Sequence, residues 1–235
     1  MLKEKILRNH FDKVVYSESK WNLLKEKRIT AKKLLEIFIN EGFAPIVYGS
    51  IARGDVHKNS DVDIIFTKQI PSFQVEYILN KNGFKNFFRE IIMATPLDSI
   101  KLYIYLSELE SITIPLSKLD RKMIEFYKFG GNVDLNQLKS NIRVAGIDKR
   151  LVLIKPTNDG HEEISVIDNE ANAAKVVGIN IETLNERVKV LLRRQKYGRT
   201  GVFLKRKLHI DETIEEVLKE LAKKKSIVRK KLFRL

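Results

Sequence analysis

The 235-residue chain has no cysteine, only five prolines and a single tryptophan. Without cysteine it can build no disulfide framework and offers no thiolate to a metal or a redox step. No run approaches the ~18 consecutive apolar residues of a membrane-spanning helix. The first stretch, MLKEKILRNHFDK, has no apolar core of the kind a secretory signal needs. Internal repeats and low-complexity tracts are also missing. These absences point to a soluble cytoplasmic protein with no membrane partner.

What the chain has in plenty is charge. Charged residues make up 31% and hydrophobic residues 43%, enough for a sizeable core. Many Lys, Glu and Arg with no cysteine also suit a thermophile. The net charge is +14 and the isoelectric point about 9.7. From Arg187 to Leu235, 17 Lys or Arg stand against 5 Asp or Glu, so this end carries +12 and the rest only +2. A basic end of this kind points to a polyanionic partner, RNA or DNA. A solvated lysine-rich face is the plainer explanation.

Periodicity divides the chain further. Residues 1–14 and 18–41 read as helices, the second with Leu34, Leu35, Phe38 and Ile39 on one face and a stop at Gly42. APIVYG and DVDIIF read as short buried strands. Residues 72–82 resume helical spacing, with Ser72 as N-terminal cap. FKNFFREIIMATPLDSIKLYIYLS reads as two strands joined near Pro96–Asp98, and PLSKLDRKMIEFYKFGG as a helix closed by Gly130–Gly131. A boundary is expected between Gly130 and Ile147. Beyond it come a strand, a TNDG turn, a strand, two short helices, and a last helix from about Asp211. His161 reads as part of the solvated turn, and Trp21 and Tyr48 as core residues.

The stretch VYGSIARGDVHKNSDVDIIF at 47–66 carries the chemistry. A Gly-Ser turn after a strand brings backbone N–H groups close to a bound group, because glycine has no Cβ to block the approach. Ser50 adds a hydroxyl, and Arg53 is placed to add a bidentate phosphate donor. Asp61 and Asp63 are two apart on a strand and so share a face. Two close carboxylates are costly unless a cation sits between them, and oxygen ligands that also welcome substrate phosphates suit Mg²⁺. A phosphate-gripping turn opposite such a pair suits phosphoryl or nucleotidyl transfer.

This stretch resembles the signature of the polymerase-β superfamily of nucleotidyltransferases. The match includes Gly49, Ser50, Arg53, Gly54, Ser60, Asp61, Asp63 and the flanking strands. The resemblance implies two Mg²⁺ ions held at Asp61 and Asp63, a nucleoside triphosphate held by Gly49, Ser50, Arg53 and Ser60, and attack of an acceptor hydroxyl on the α-phosphate. It also implies a third carboxylate on a later strand. SIKLYIYLS offers only Lys101 there. Asp98 is the catalytic candidate if a bulge corrects its register, and Glu90 is the alternative.

In the second half, NEANAAKVVGINIETLNERVKVLLRR has helix–turn–helix spacing, with Ala174 at the crossing, Gly178 in the turn, and Leu184 and Val188 locking the second helix. YGRTGVFLKRKL reads as a two-stranded wing. Nucleic acid would then meet Arg187, Arg193, Arg194, Lys196 and Arg199, and Lys205, Arg206 and Lys207 on the wing. The stretches from GIDKRLVLI to GRTGVFLKR also look like the second half of an archaeal group of predicted nucleotidyltransferases. The last helix suits docking or homodimer formation. The tail KKKSIVRKKLFRL reads as either a disordered nucleic-acid-binding segment or a helical extension.

The chain is therefore expected to be α+β. A nucleotidyltransferase fold, a mixed sheet with flanking helices, would occupy residues 1–130. A smaller basic helix-turn-helix or winged-helix-like domain would occupy 147–235. The expected activity is Mg²⁺-dependent transfer of a nucleoside monophosphate from a triphosphate to a hydroxyl, with nucleic acid as acceptor. The rival is a nucleic-acid-binding regulator whose nucleotidyltransferase domain binds nucleotide without transferring it.

Overall fold

Alternating and helical periods become a chain of short elements in the computed structural model, which describes residues 5–85 and 88–233. In order these are β1 (Phe11–Val15), α1 (Glu18–Ile39), β2 (Ile46–Tyr48), α2 (Ser50–Arg53), β3 (Val62–Ile65), α3 (Ser72–Lys81) and β4 (Phe88–Met93). There follow β5 (Lys101–Tyr105), β6 (Glu110–Pro115), α4 (Arg121–Phe129), β7 (Asn132–Val133), α5 (Leu135–Lys139), β8 (Gly146–Ile147), β9 (Val152–Pro156) and β10 (Gly160–Ser165). Last come α6 (Glu170–Val177), α7 (Ile181–Tyr197), β11 (Leu204–Leu208), α8 (Ile214–Lys224) and α9 (Ser226–Phe233). The class is α+β, as expected.

The elements form two compact units from interleaved segments. The first takes residues 1–33, 47–62 and 121–200, and the second takes 34–46, 63–120 and 201–235. This differs from the linear division expected from the sequence, at 1–130 and 147–235.

In the first unit, β1, β10, β9 and β8 form an antiparallel sheet in that order. Its core gathers Phe129, Leu151, Leu153, Val166, Leu184 and Val188, all under 9% exposed. Helices α6 and α7 follow one another across a short turn at Gly178. Gly178 closes α6 in the left-handed region, at φ 66°, where a side chain would be strained. Ala174 is buried where α6 meets α7, and Leu184 and Val188 are buried on α7. A buried Glu125 on α4 accepts hydrogen bonds from Asn180 and Thr183, which ties α4 to the start of α7.

In the second unit the strand order is β11-β4-β5-β6-β3. β4, β5 and β6 pair antiparallel in register, Glu90 facing Tyr103 and Tyr103 facing Thr113. One face of these strands carries Ile91, Leu102, Ile104, Ile112 and Ile114, all fully buried. Arg89 lies on this face and reaches Glu76 of α3 at 2.7 Å. α8 begins at a Thr213 cap whose hydroxyl accepts the Glu216 N–H.

Several sequence expectations are corrected. Residues 11–15 are not helical but a strand, because β10 offers them a ladder. No two-stranded wing forms. β11 instead pairs antiparallel with β4, Lys207 opposite Glu90, and closes a sheet edge. Of the two readings of the tail the helical one holds: its described part runs from the end of α8 into α9, with Val228 fully buried. Ser72 is the first helical residue rather than the cap, and its hydroxyl donates to Glu215. His161 is buried on β10 and shares a hydrogen bond of 2.7 Å with the Tyr16 hydroxyl. No described helix is long and apolar enough to cross a membrane.

Candidate active site

Gly49 turns the chain from β2 into α2 at φ 84°, ψ −142°, a backbone region only glycine enters without strain. The turn is held at both ends. The Gly49 N–H donates to the Gly131 carbonyl at 2.9 Å, and the Gly49 carbonyl accepts the Arg53 N–H at 3.1 Å. Ser50 opens α2 and is half-buried.

Arg53 is not placed as a free phosphate donor. It is 6% exposed, and its guanidinium grips both oxygens of Asp55, at 3.0 and 2.9 Å, and the Gly130 carbonyl at 2.5 Å. Burial works against its charge, yet the Asp55 carboxylate holds its pKa above the ordinary arginine value. The resemblance pointed Arg53 at the triphosphate, but here it braces the turn. Ser60 has a similar role. It is 3% exposed, its hydroxyl accepts the His57 N–H at 2.9 Å, and its carbonyl accepts Lys27 Nζ at 2.9 Å. It pins the loop that delivers the chain to β3.

Asp61 is exposed just before β3, Asp63 is half-buried within it, and Val62 between them is 1% exposed. The alternation of an extended chain therefore puts both carboxylates on the side away from Val62. Asp63 Oδ1 accepts the Ser111 hydroxyl of β6 at 2.7 Å. A serine thus meets Asp63 on the neighbouring strand, where a third carboxylate would complete the set.

The register explains why the proposed third carboxylates do not serve. Ser111 faces Tyr105, at the end of β5, whereas Lys101 at its start faces Pro115. Asp98 precedes Lys101 and so lies beyond the far end of that strand. Glu90 shares a face with Tyr103 but sits on β4, three strand spacings from β3, or about 14 Å. Its partner is Lys205, at 3.2 Å. Burial, with Glu90 and Asp63 nearby, pushes the Tyr105 hydroxyl above the ordinary tyrosine value.

Asp63 and Ser111 offer a carboxylate and a hydroxyl, and Asp61 a second carboxylate two residues earlier in the chain. All are oxygen donors of the kind that would suit a divalent cation completed by substrate phosphates and water. Among the described residues no group of three or more His, Cys, Asp or Glu is arranged to hold a metal.

Residues 27–129 match the family model described as a nucleotidyltransferase domain. Over these residues the chain is similar to nucleotidyltransferase domains. No curated protein and no solved structure gives a significant match. The nucleotidyltransferase match takes in Gly49, Ser50, Asp61, Asp63 and strands β2 to β6, and ends at Phe129. Strand β1, helices α6 and α7, and β11 lie outside it.

The eight basic candidates outside the nucleotidyltransferase match have unequal surroundings. Arg193, Arg194 and Arg199 are exposed. Arg187 is half-buried, its guanidinium 4.4 Å from the Phe126 ring centre, so it packs rather than reaching for a ligand. Lys196 lies over Tyr197 at 5.1 Å. In the second unit Lys205 pairs with Glu90, Arg206 with Glu212, and Lys207 lies 5.3 Å over Phe88. Sequence reasoning missed Ser111. It took β5 for the strand beside β3, and only the strand order shows that ESITIP holds that place.

Proposed function

We propose that the nucleotidyltransferase domain transfers a nucleoside monophosphate from a nucleoside triphosphate to a hydroxyl acceptor in the presence of Mg²⁺, and that the acceptor is nucleic acid. The observation that carries this is the Asp61–Asp63 pair inside the matched segment, the first exposed and the second half-buried, two residues apart around the buried Val62. Ser50 holds a phosphate oxygen through its backbone N–H and hydroxyl, at a turn where Gly49 has no Cβ to block the approach. Asp61 and Asp63 hold the cation, which when bound neutralises the triphosphate and aligns it for displacement. The acceptor oxygen forms a bond to the α-phosphorus, the bond to pyrophosphate breaks, and the acceptor proton passes to a carboxylate or water. The exposed Arg193, Arg194 and Arg199 support a polyanionic acceptor.

One observation favours a second reading. Ser111 supplies no negative charge beside Asp63, so among the described residues the site has no third carboxylate to activate the acceptor. A domain so built binds nucleotide with Mg²⁺ and transfers slowly or not at all. Incubation with Mg²⁺ and each α-labelled nucleoside triphosphate, with and without RNA or DNA, separates the two. Label joined to nucleic acid, and lost in Asp61→Asn/Asp63→Asn, supports transfer. Mg²⁺-dependent nucleotide binding with no label transferred supports the regulator. No nucleotide binding at all overturns both.

A further inference from the structure

Within the first unit, α1 and the segment from α5 to Arg143 enclose a cavity of about 600 Å³. Five cations line it: Lys25, Arg28, Lys32, Lys139 and Arg143. Among the described lining residues there is no carboxylate. Trp21, the only tryptophan of the chain, forms part of the wall.

Arg28 is the residue that asks for an explanation. It is 7% exposed, yet its hydrogen bonds go to carbonyls only: Ile51 at 3.1 and 3.2 Å, Ala52 at 3.2 Å and Ile142 at 2.9 Å. Burial, and then repulsion from Arg143, lower its pKa to about 10. Buried charges are ordinarily paired, and one left without an opposite charge is costly. Arg143, the second guanidinium, is fixed by the Thr157 and Gly160 carbonyls and lies 4.8 Å over the Trp21 ring. A concave, largely apolar wall that carries five cations and no carboxylate, next to an indole, has the chemistry of a phosphate site with a ring platform.

We propose that this cavity binds the phosphate monoester of a nucleotide, free or at the end of a nucleic-acid strand, with the phosphate at Arg28 and the basic side chains and the nucleoside against Trp21. A dianionic phosphate supplies the missing counter-charge. The site is separate from the Gly49–Ser50 turn. Arg28 meets the carbonyls of Ile51 and Ala52, whereas the proposed triphosphate site uses the backbone N–H and hydroxyl of Ser50. The proposal does not depend on the transfer reaction, although a strand end held here would be an acceptor already attached to the protein.

The lone tryptophan makes the test direct. Its fluorescence is followed while the full chain, without Mg²⁺, is titrated with inorganic phosphate, a nucleoside 5′-monophosphate, the unphosphorylated nucleoside, and an oligonucleotide with either a 5′-phosphate or a 5′-hydroxyl. The monophosphate and the 5′-phosphorylated strand are expected to give a saturable change, at least about tenfold tighter than their unphosphorylated counterparts. Lys25→Gln/Lys32→Gln is expected to weaken both. It is the main variant, because a buried Arg28→Ala risks the fold itself. Asp61→Asn/Asp63→Asn is expected to leave the response intact, so failure of the transfer reading and failure of this one are distinguishable. Inorganic phosphate binding as tightly as the monophosphate overturns the nucleotide assignment. Equal binding of phosphorylated and unphosphorylated strands, or no response to any ligand, overturns the site.

Discussion

At the scale of single residues, Ser111 decides most. Its hydroxyl donates to Asp63, which a carboxylate there could not do without being protonated. Ser111→Asp would set two like charges side by side and is expected to destabilise the Mg²⁺-free protein. Mg²⁺ should then raise the melting temperature of the variant by about 2–4 °C more than that of the original chain. Equal responses to Mg²⁺ in a thermal scan would show that positions 63 and 111 do not share a cation. The Asp61–Asp63 pair was legible in the sequence because two-residue spacing on a strand is a local property. Arg53 and Ser60 were legible as residues of the motif but not in their roles. Their partners, Gly130 at 77 positions' distance and Lys27 at 33, belong to tertiary structure. Ser111 was not legible, because strand order is not written in any one strand.

At the scale of elements, β1 shows why a strand can hide. Its residues are mostly exposed, so no buried alternation marks it, and its register is set by β10. Polar contacts reinforce that pairing. Glu163 on β10 binds His10 and Arg150, each at 2.7 Å, and His161 at 3.4 Å, while Arg150 also holds Asp148 at 2.6 Å. Burial works against the Glu163 charge, but Arg150 and His10 outweigh it and lower its pKa from the ordinary 4.5 to about 2. A carboxylate depressed in this way contributes stability that is complete above its unfolded value and is lost as pH falls through the folded one. Burial shifts Asp148 the opposite way, upward, so it offsets part of this effect. The unfolding free energy from urea titrations is expected to fall as pH goes from 4.5 to 2, by about 1–2 kcal/mol after solvent screening. Glu163→Gln should flatten that fall. An unchanged profile would mean that the cluster does not anchor the strand. Helices α1, α3 and α7, by contrast, were legible to within a few residues, because each carries its own apolar stripe.

At the scale of the molecule, the chain passes between its two compact units five times, at 33–34, 46–47, 62–63, 120–121 and 200–201. Composition concealed this, since the sharp rise in basic charge after Arg187 reads as a domain change. Fragments 1–130 and 147–235 are therefore not expected to fold alone. The first lacks β11, so the β4 edge stays open, and it lacks α8, which buries Ile214, Val217 and Leu221. Circular dichroism melts of the fragments should show no cooperative transition. A sharp transition in either would restore the linear division.

The pairing of β11 with β4 also bears on how the protein is made. β4 ends at Met93, and the strand that completes it begins only at Leu204. At a synthesis rate of about 5–20 residues per second, the nascent β4 edge waits on the order of ten seconds for its partner. During that interval the ribosome carries a sheet with one side open to neighbouring chains, so slow translation of the last third should cost this protein more in aggregation than slow translation of the first.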